Sequence, residues 1–193
     1  MDELKGWHSR GYLSHFDGGG VYQFITFRLC DSVPKGIIMN WSDELAISDT
    51  TEKNSEDYIK LHNRIAKYED KGYGECFLKN RAIAKLVEDA LKFYDNDRYE
   101  LIEWVIMPNH VHVLIKGNPN HSLTMIVHSW KSYTASKANE ILGRKGKFWM
   151  NDYFDRYIRN DKHFNATIEY IRENGKTWNA DIPVRNQKDK RQR

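Results

Sequence analysis

The run Val21-Tyr-Gln-Phe-Ile-Thr-Phe-Arg28 alternates β-branched and aromatic residues behind Gly18, Gly19 and Gly20, which predicts a strand entered through a turn. Residues 31–54 are polar and keep no sustained period, so they read as a loop or insertion. From Ser55 the spacing becomes helical. Tyr58, Leu61, Ile65 and Tyr68 recur on one face, Ser55 can cap the first turn, and Lys71-Gly-Tyr-Gly74 ends the run near Asp70. A stronger apolar stripe of Ile83, Leu86, Val87, Ala90 and Leu91 predicts a helix from Asn80 to Tyr94.

Two further strands, Tyr99 to Met107 and His110 to Lys116, meet at Pro108-Asn109, whose chemistry suits a tight hairpin. Leu123, Ile126, Val127, Trp130 and Thr134 mark the inner side of a helix from Leu123 to Ile141. A basic glycine loop, Gly143 to Gly146, leads to an aromatic and partly strand-like segment, Phe148 to Arg159. Asp161 can cap a last helix to Asn174, with Gly175 expected to stop it. Hairpin-joined strands mixed with helices predict an α+β fold, an antiparallel sheet with helices packed on one face, and exclude a parallel doubly wound sheet.

The chain has 193 residues, 40% of them hydrophobic and 30% charged, enough for one core under a wet surface. No apolar run approaches a membrane span and the first residues do not resemble a signal peptide, so no membrane partner is expected. Cys30 and Cys76 are isolated, which fits a reducing cytoplasm and argues against a disulfide framework or a zinc ribbon. Residues 101–193 hold 16 Lys+Arg against 9 Asp+Glu, leaving 14 against 18 in residues 1–100. That asymmetry points a polyanion at the C-terminal half, although a solvated surface with a basic tail accounts for it equally well.

The stretch Met107-Pro-Asn-His-Val-His-Val-Leu114 carries the candidate chemistry. Alternate strand residues share a face, so His110 and His112 project together, about 7 Å apart along the strand, and both can reach one divalent ion. An HxH pair alone is weak evidence, because the chain has eight histidines. The last helix sharpens it. Phe164, Ile168 and Ile171 form its core stripe, while Tyr170 and Asn174, four apart, share an offset face. If that helix crosses the histidine strand, Asn174 can offer an oxygen ligand and Tyr170 sits one turn away. An interfacial tyrosine and a capping asparagine fit the same pattern.

Together these pieces resemble the single-tyrosine HUH transposases (named for their His-hydrophobe-His motif), and within them the REP-associated tyrosine transposases of bacteria. Val111 stands between the two histidines. Elsewhere, His15-Phe16 with Tyr22 to Leu29, Ser129-Trp-Lys-Ser-Tyr-Thr134, Phe148-Trp149, Asp152 to Arg159, His163-Phe164 and Tyr170-Ile171 with Asn174 follow the family in order. The resemblance implies a ferredoxin-like HUH nuclease fold over residues 1–180, with 31–75 matching poorly and 181–193 a basic, flexible tail. It implies that His110, His112 and Asn174 bind Mg²⁺ or Mn²⁺ and that Tyr170 is the nucleophile. The substrate implied is single-stranded, hairpin-forming repetitive DNA, cut through a 5′-phosphotyrosine and resealed by strand transfer. Relatives usually have Pro after that Asn; here Gly175 stands.

A neutral ligand set would leave an ion's charge available to a phosphate, and a tyrosine link conserves the bond for resealing. Tyr133, Tyr153 and Tyr157 are rival nucleophiles without a ligand-type residue one turn on. DNA contacts are expected from Lys131, Arg144, Lys145, Lys147, Arg156 and Arg159, with Trp130, Tyr133 and Trp149 as stacking platforms. Two other functions stay open on the residues alone: a metal-dependent phosphohydrolase that uses HxH, and a domesticated DNA-binding protein without cleavage activity. The sequence also leaves open a monomer or a homodimer, with Tyr170 serving its own metal or a partner's.

Overall fold

The computed structural model describes residues 6–9, 14–17, 19–48, 51 and 55–177. Strands β1 (Gly6–Ser9) and β2 (Ser14–Asp17) pair with each other, and β3 (Tyr22–Arg28) follows a turn in which Gly19 and Gly20 both have positive φ. Next come α1 (Lys35–Glu44), α2 (Glu56–Glu69), a 3₁₀ turn at Phe77–Lys79 and α3 (Arg81–Phe93). The hairpin of β4 (Tyr99–Ile106) and β5 (His110–Gly117), then α4 (Leu123–Ile141), β6 (Phe154–Tyr157) and α5 (Asp161–Thr177) complete the order. The expected Ser55 cap forms, accepting from Tyr58 N–H, and Asn80 and Ser122 cap α3 and α4 by accepting from Ala82 and Met125 N–H. At the start of α5 it is Asn160 rather than the expected Asp161 that accepts, from His163 N–H.

The four-stranded sheet has the order β4-β5-β3-β6 and every pairing is antiparallel. With helices between β3 and β4 and between β5 and β6, this is the ferredoxin-like β-α-β-β-α-β arrangement, its first and third strands in the middle. Register sets the faces. His112 pairs with Thr26, which pairs with Phe154, and His110 pairs with Arg28. These side chains share one face with Phe24 and Arg156, while Ile25, Phe27, Val111, Val113 and Ile115 fill the other.

The helices expected on one face lie on both. α4 packs Trp130 on Phe27, whereas α5 brings Tyr170 onto Phe24 of the histidine face. The first six residues of β5 are all buried, as a strand covered on both sides requires. Two other expectations are corrected. Residues 35–44 form a helix in which Ile38 and Trp41, with Leu45 just beyond it, join Val33, Leu61 and Ile65 in a small cluster separate from the main core. Gly175 does not end α5, which continues to Thr177 with Gly175 against Val105 of β4. The basic tail 181–193 lies outside the described residues.

Candidate functional site

The β4–β5 turn aims the two histidines and fixes their ring nitrogens. Asn109, fully buried, donates from Nδ2 to the Tyr73 carbonyl at 3.0 Å, so its Oδ1 must accept from His110 Nδ1 at 2.8 Å. His110 Nε2 therefore carries a bare lone pair. The Tyr73 carbonyl is held in turn by Gly74, whose φ of +89° brings the backbone so close to Asp31 that a Cβ would lie 2.9 Å from its carbonyl oxygen. On the neighbouring strand the Thr26 hydroxyl meets His112 Nδ1 at 2.7 Å. The two Nε2 atoms face each other at 3.1 Å.

Both imidazoles are almost fully buried, and burial holds them neutral: His112 falls to about 3 and His110 goes well below the usual range. Two neutral rings with converging nitrogens accommodate one centre of positive charge, a proton or a metal ion. Cis ligands of an octahedral ion with bonds of about 2.1 Å lie roughly 3 Å apart, so the spacing fits such an ion.

Sequence reasoning missed the third member of this cluster. Asp70, directly after α2, places Oδ1 3.8 Å from His110 Nε2, and one ligand atom from each of Asp70, His110 and His112 lies within 4.8 Å of the others. A carboxylate thus joins a set expected to be neutral. The available signal was electrostatic, since Glu69 and Asp70 put two acids at a helix C-terminus, where the macrodipole disfavours them. Glu69 is compensated by Arg28 of β3, 2.7 Å away, in a largely buried pair that ties α2 to the sheet beside His110.

α5 brings its phenol to the same place. Tyr170 Oη lies 3.4 Å from His112 Nε2, and the Tyr170 ring packs edge-on to Phe24. Burial pushes this phenol up to about 12, Asp70 and Glu69 add to the rise, and a hydrogen bond from the Asn174 side chain opposes it. Asn174 Nδ2 also donates to the Tyr170 carbonyl at 3.1 Å. The Arg172 guanidinium clamps α5 to buried Glu103 of β4 at 2.9 Å. From these groups a cleft of about 810 Å³ runs between the sheet, α5 and the α1–α2 segment.

The family model of IS200-like transposases matches residues 73–174, more than half of the chain, and spans both histidines, Tyr170 and Asn174. The chain belongs to the IS200-like transposase family. Among solved structures this IS200-like chain is similar to a REP-associated tyrosine transposase bound to a REP hairpin. The identity is 16% and the TM-score 0.50, over 89% of this chain and 79% of that one, which shows a shared fold. A Deinococcus radiodurans protein assigned to the transposases aligns over 86% of this chain and 95% of its own, at 14% identity and a TM-score of 0.38. No curated protein matches.

Of the expected DNA contacts of this IS200-like transposase, Trp130 and Trp149 must be withdrawn as stacking platforms. They are 2% and 4% exposed, and their indole N–H groups bond Tyr99 Oη and Thr134 Oγ1 within the core. Lys131 is committed to the Asn151 carbonyl, and burial lowers it to about 8. Tyr133, Lys145, Lys147, Arg156 and Arg159 are exposed, and Arg156 lines the cleft. Arg144 lies over the Phe77 ring and donates to the Lys147 carbonyl. Of the rival tyrosines, Tyr153 is buried and Tyr157 packs on Phe16. Among the described residues no helix is long and apolar enough to cross a membrane.

Proposed function

We propose that this transposase-family protein is a metal-dependent endonuclease and strand transferase acting on single-stranded, hairpin-forming DNA through a 5′-phosphotyrosine intermediate on Tyr170. The observation that carries this reading is convergence. A phenol from α5 stands 3.4 Å from His112 Nε2, which in turn faces His110 Nε2 at 3.1 Å. Family membership and the likeness to a hairpin-bound REP-associated transposase support the substrate class.

His110, His112 and Asp70 would hold Mg²⁺ or Mn²⁺, with the Asn174 amide beside the Tyr170 phenol. A divalent ion, when held there, supplies Lewis-acid polarisation of the scissile phosphate and offsets charge on the entering and leaving oxygens. The chain's own groups do the rest. Asn109 and Thr26 keep the ring nitrogens turned inward. Tyr170 Oη bonds phosphorus as the P–O3′ bond breaks, and the proton lost by the phenol ends, through solvent, on the departing O3′, which leaves as a 3′-hydroxyl. Attack by another 3′-hydroxyl reverses these steps and returns the phenol. Asn174, hydrogen-bonded to the phenol, favours the phenoxide, so it is a positioning and stabilising group in this scheme.

The test is an SDS-stable adduct between the protein and a labelled single-stranded hairpin in Mn²⁺ or Mg²⁺. Tyr170→Phe is expected to abolish the adduct and His112→Ala to reduce cleavage far more than hairpin binding. Hydrolysis without adduct under every condition contradicts the reading and favours a phosphohydrolase.

A further inference from the structure

The cleft that begins at Tyr170, His112 and Asp70 continues past them between the sheet and the α1–α2 segment, and the cleavage chemistry leaves that far end unused. Its volume of about 810 Å³ is that of a ligand pocket rather than a packing defect. Phe154 on the sheet side is only partly buried, and Met39 on the α1 side is 56% exposed although apolar; both line the same space. Arg156 and Asp152 add charge and hydrogen-bonding groups to its walls. His62 closes one side, its ring 4.7 Å from Phe154, and its buried Nε2 has no hydrogen-bond partner among the described residues. A buried nitrogen of this kind calls for an explanation, and a ligand that supplies the missing partner is one.

Continuity decides the occupant. A phosphodiester held at Tyr170 carries a nucleoside on each side, and the cleft leads away from that point. We propose that its far end takes one unpaired nucleobase flanking the scissile phosphate, and that the α1–α2 segment, which precedes the family-matched stretch, thereby sets the sequence preference of cleavage. This inference rests on the tyrosine-nuclease reading. Phe154 and Met39 supply apolar surface to the base faces, His62 and Asp152 meet its edge, and Arg156 faces the adjoining phosphate. A paired base would bring its complement into the sheet, so the pocket selects an unpaired one.

The experiment uses the full chain with Mn²⁺ and hairpin oligonucleotides whose single-stranded flanks are randomised, followed by sequencing of covalently captured DNA. One flanking position should favour one base by roughly tenfold, and Phe154→Ala and Met39→Ala should each flatten that preference whatever they do to total yield. Met39 is exposed, so its variant tests the pocket without threatening the fold. His62→Phe, which keeps a ring and removes the nitrogen, should change which base is favoured. Adduct without preference at any flanking position, or a preference untouched by both the Phe154 and Met39 variants, overturns the base pocket and leaves the nuclease reading standing. No adduct with any flank overturns that reading and the pocket with it.

Discussion

Tyr170 Oη and His112 Nε2 lie 3.4 Å apart across 58 positions of sequence. Two packing devices create that contact. The β5 register turns His112 toward the face α5 covers, and Arg172 and Gly175 seat α5 on β4. The separation places the phenol beside the imidazole pair before any substrate arrives.

Asn109 should matter to metal binding beyond its place in a turn. Asn109→Ala removes the acceptor that sets the His110 tautomer, and ligand-orienting partners of this kind typically contribute 10- to 100-fold in metal affinity. Titration calorimetry with Mn²⁺ is expected to show a loss of that order. An unchanged affinity would mean that His110 is oriented by other groups.

Arg28 and Glu69 form a pair whose side chains are 15% and 4% exposed. Arg28→Met strands the more buried carboxylate and should cost about 3 kcal/mol in urea unfolding, by the usual penalty for a lone buried charge. The double variant Arg28→Met with Glu69→Leu should recover much of that loss. It should also weaken metal binding, because Asp70 then loses the anchor of its neighbour. Equal destabilisation of the single and double variants would rule out this account of the pair.

Acid should unfold the metal-free protein through its buried imidazoles. Burial lowers His62 to about 4, His112 to about 3 and His110 well below its ordinary range, against about 6.5 in the unfolded chain. Below pH 6.5 the unfolded state therefore binds more protons than the native state. The stabilisation is complete above that pH and is lost as pH falls toward the folded values. Each ring contributes a slope of about 1.4 kcal/mol per pH unit in this window. Urea midpoints should fall from pH 7 to pH 5, less steeply in His62→Phe; a flat profile would contradict the buried, neutral histidines.

Gly175 stands inside α5, and a Cβ there would meet Val105 at 3.9 Å, an ordinary contact. Gly175→Ala should therefore stabilise the protein by roughly 0.5–1 kcal/mol through helix propensity. A lower melting temperature would show that the α5–β4 seam needs the glycine.

β3, the β4–β5 hairpin and α4 were legible because each keeps one clean period between recognisable turn residues, whereas the four-residue strand β1 is too short to show one and went unread. The shared face of His110 and His112, and the pairing of Tyr170 with Asn174, followed from strand and helix periods. What failed was long-range. α1 keeps Ile38, Trp41 and Leu45 at helical spacing, but Pro34 and Gly36 interrupt its start and no side chain caps it. Asp70 looked like the end of a helix, because only the fold brings α2 beside His110. Trp130 and Trp149 looked like stacking groups because an aromatic beside basic residues reads the same in a core as at a nucleic-acid surface. Gly175 read as a stop, yet its neighbour across space, Val105, favours continuation.

Peptide mapping of the protein–DNA adduct tests the central claim most directly. After nuclease trimming and trypsin, the nucleotide should reside on the peptide of residues 163–172, whose one tyrosine is Tyr170. Recovery of the nucleotide on a peptide carrying Tyr133, Tyr153 or Tyr157 would contradict the account.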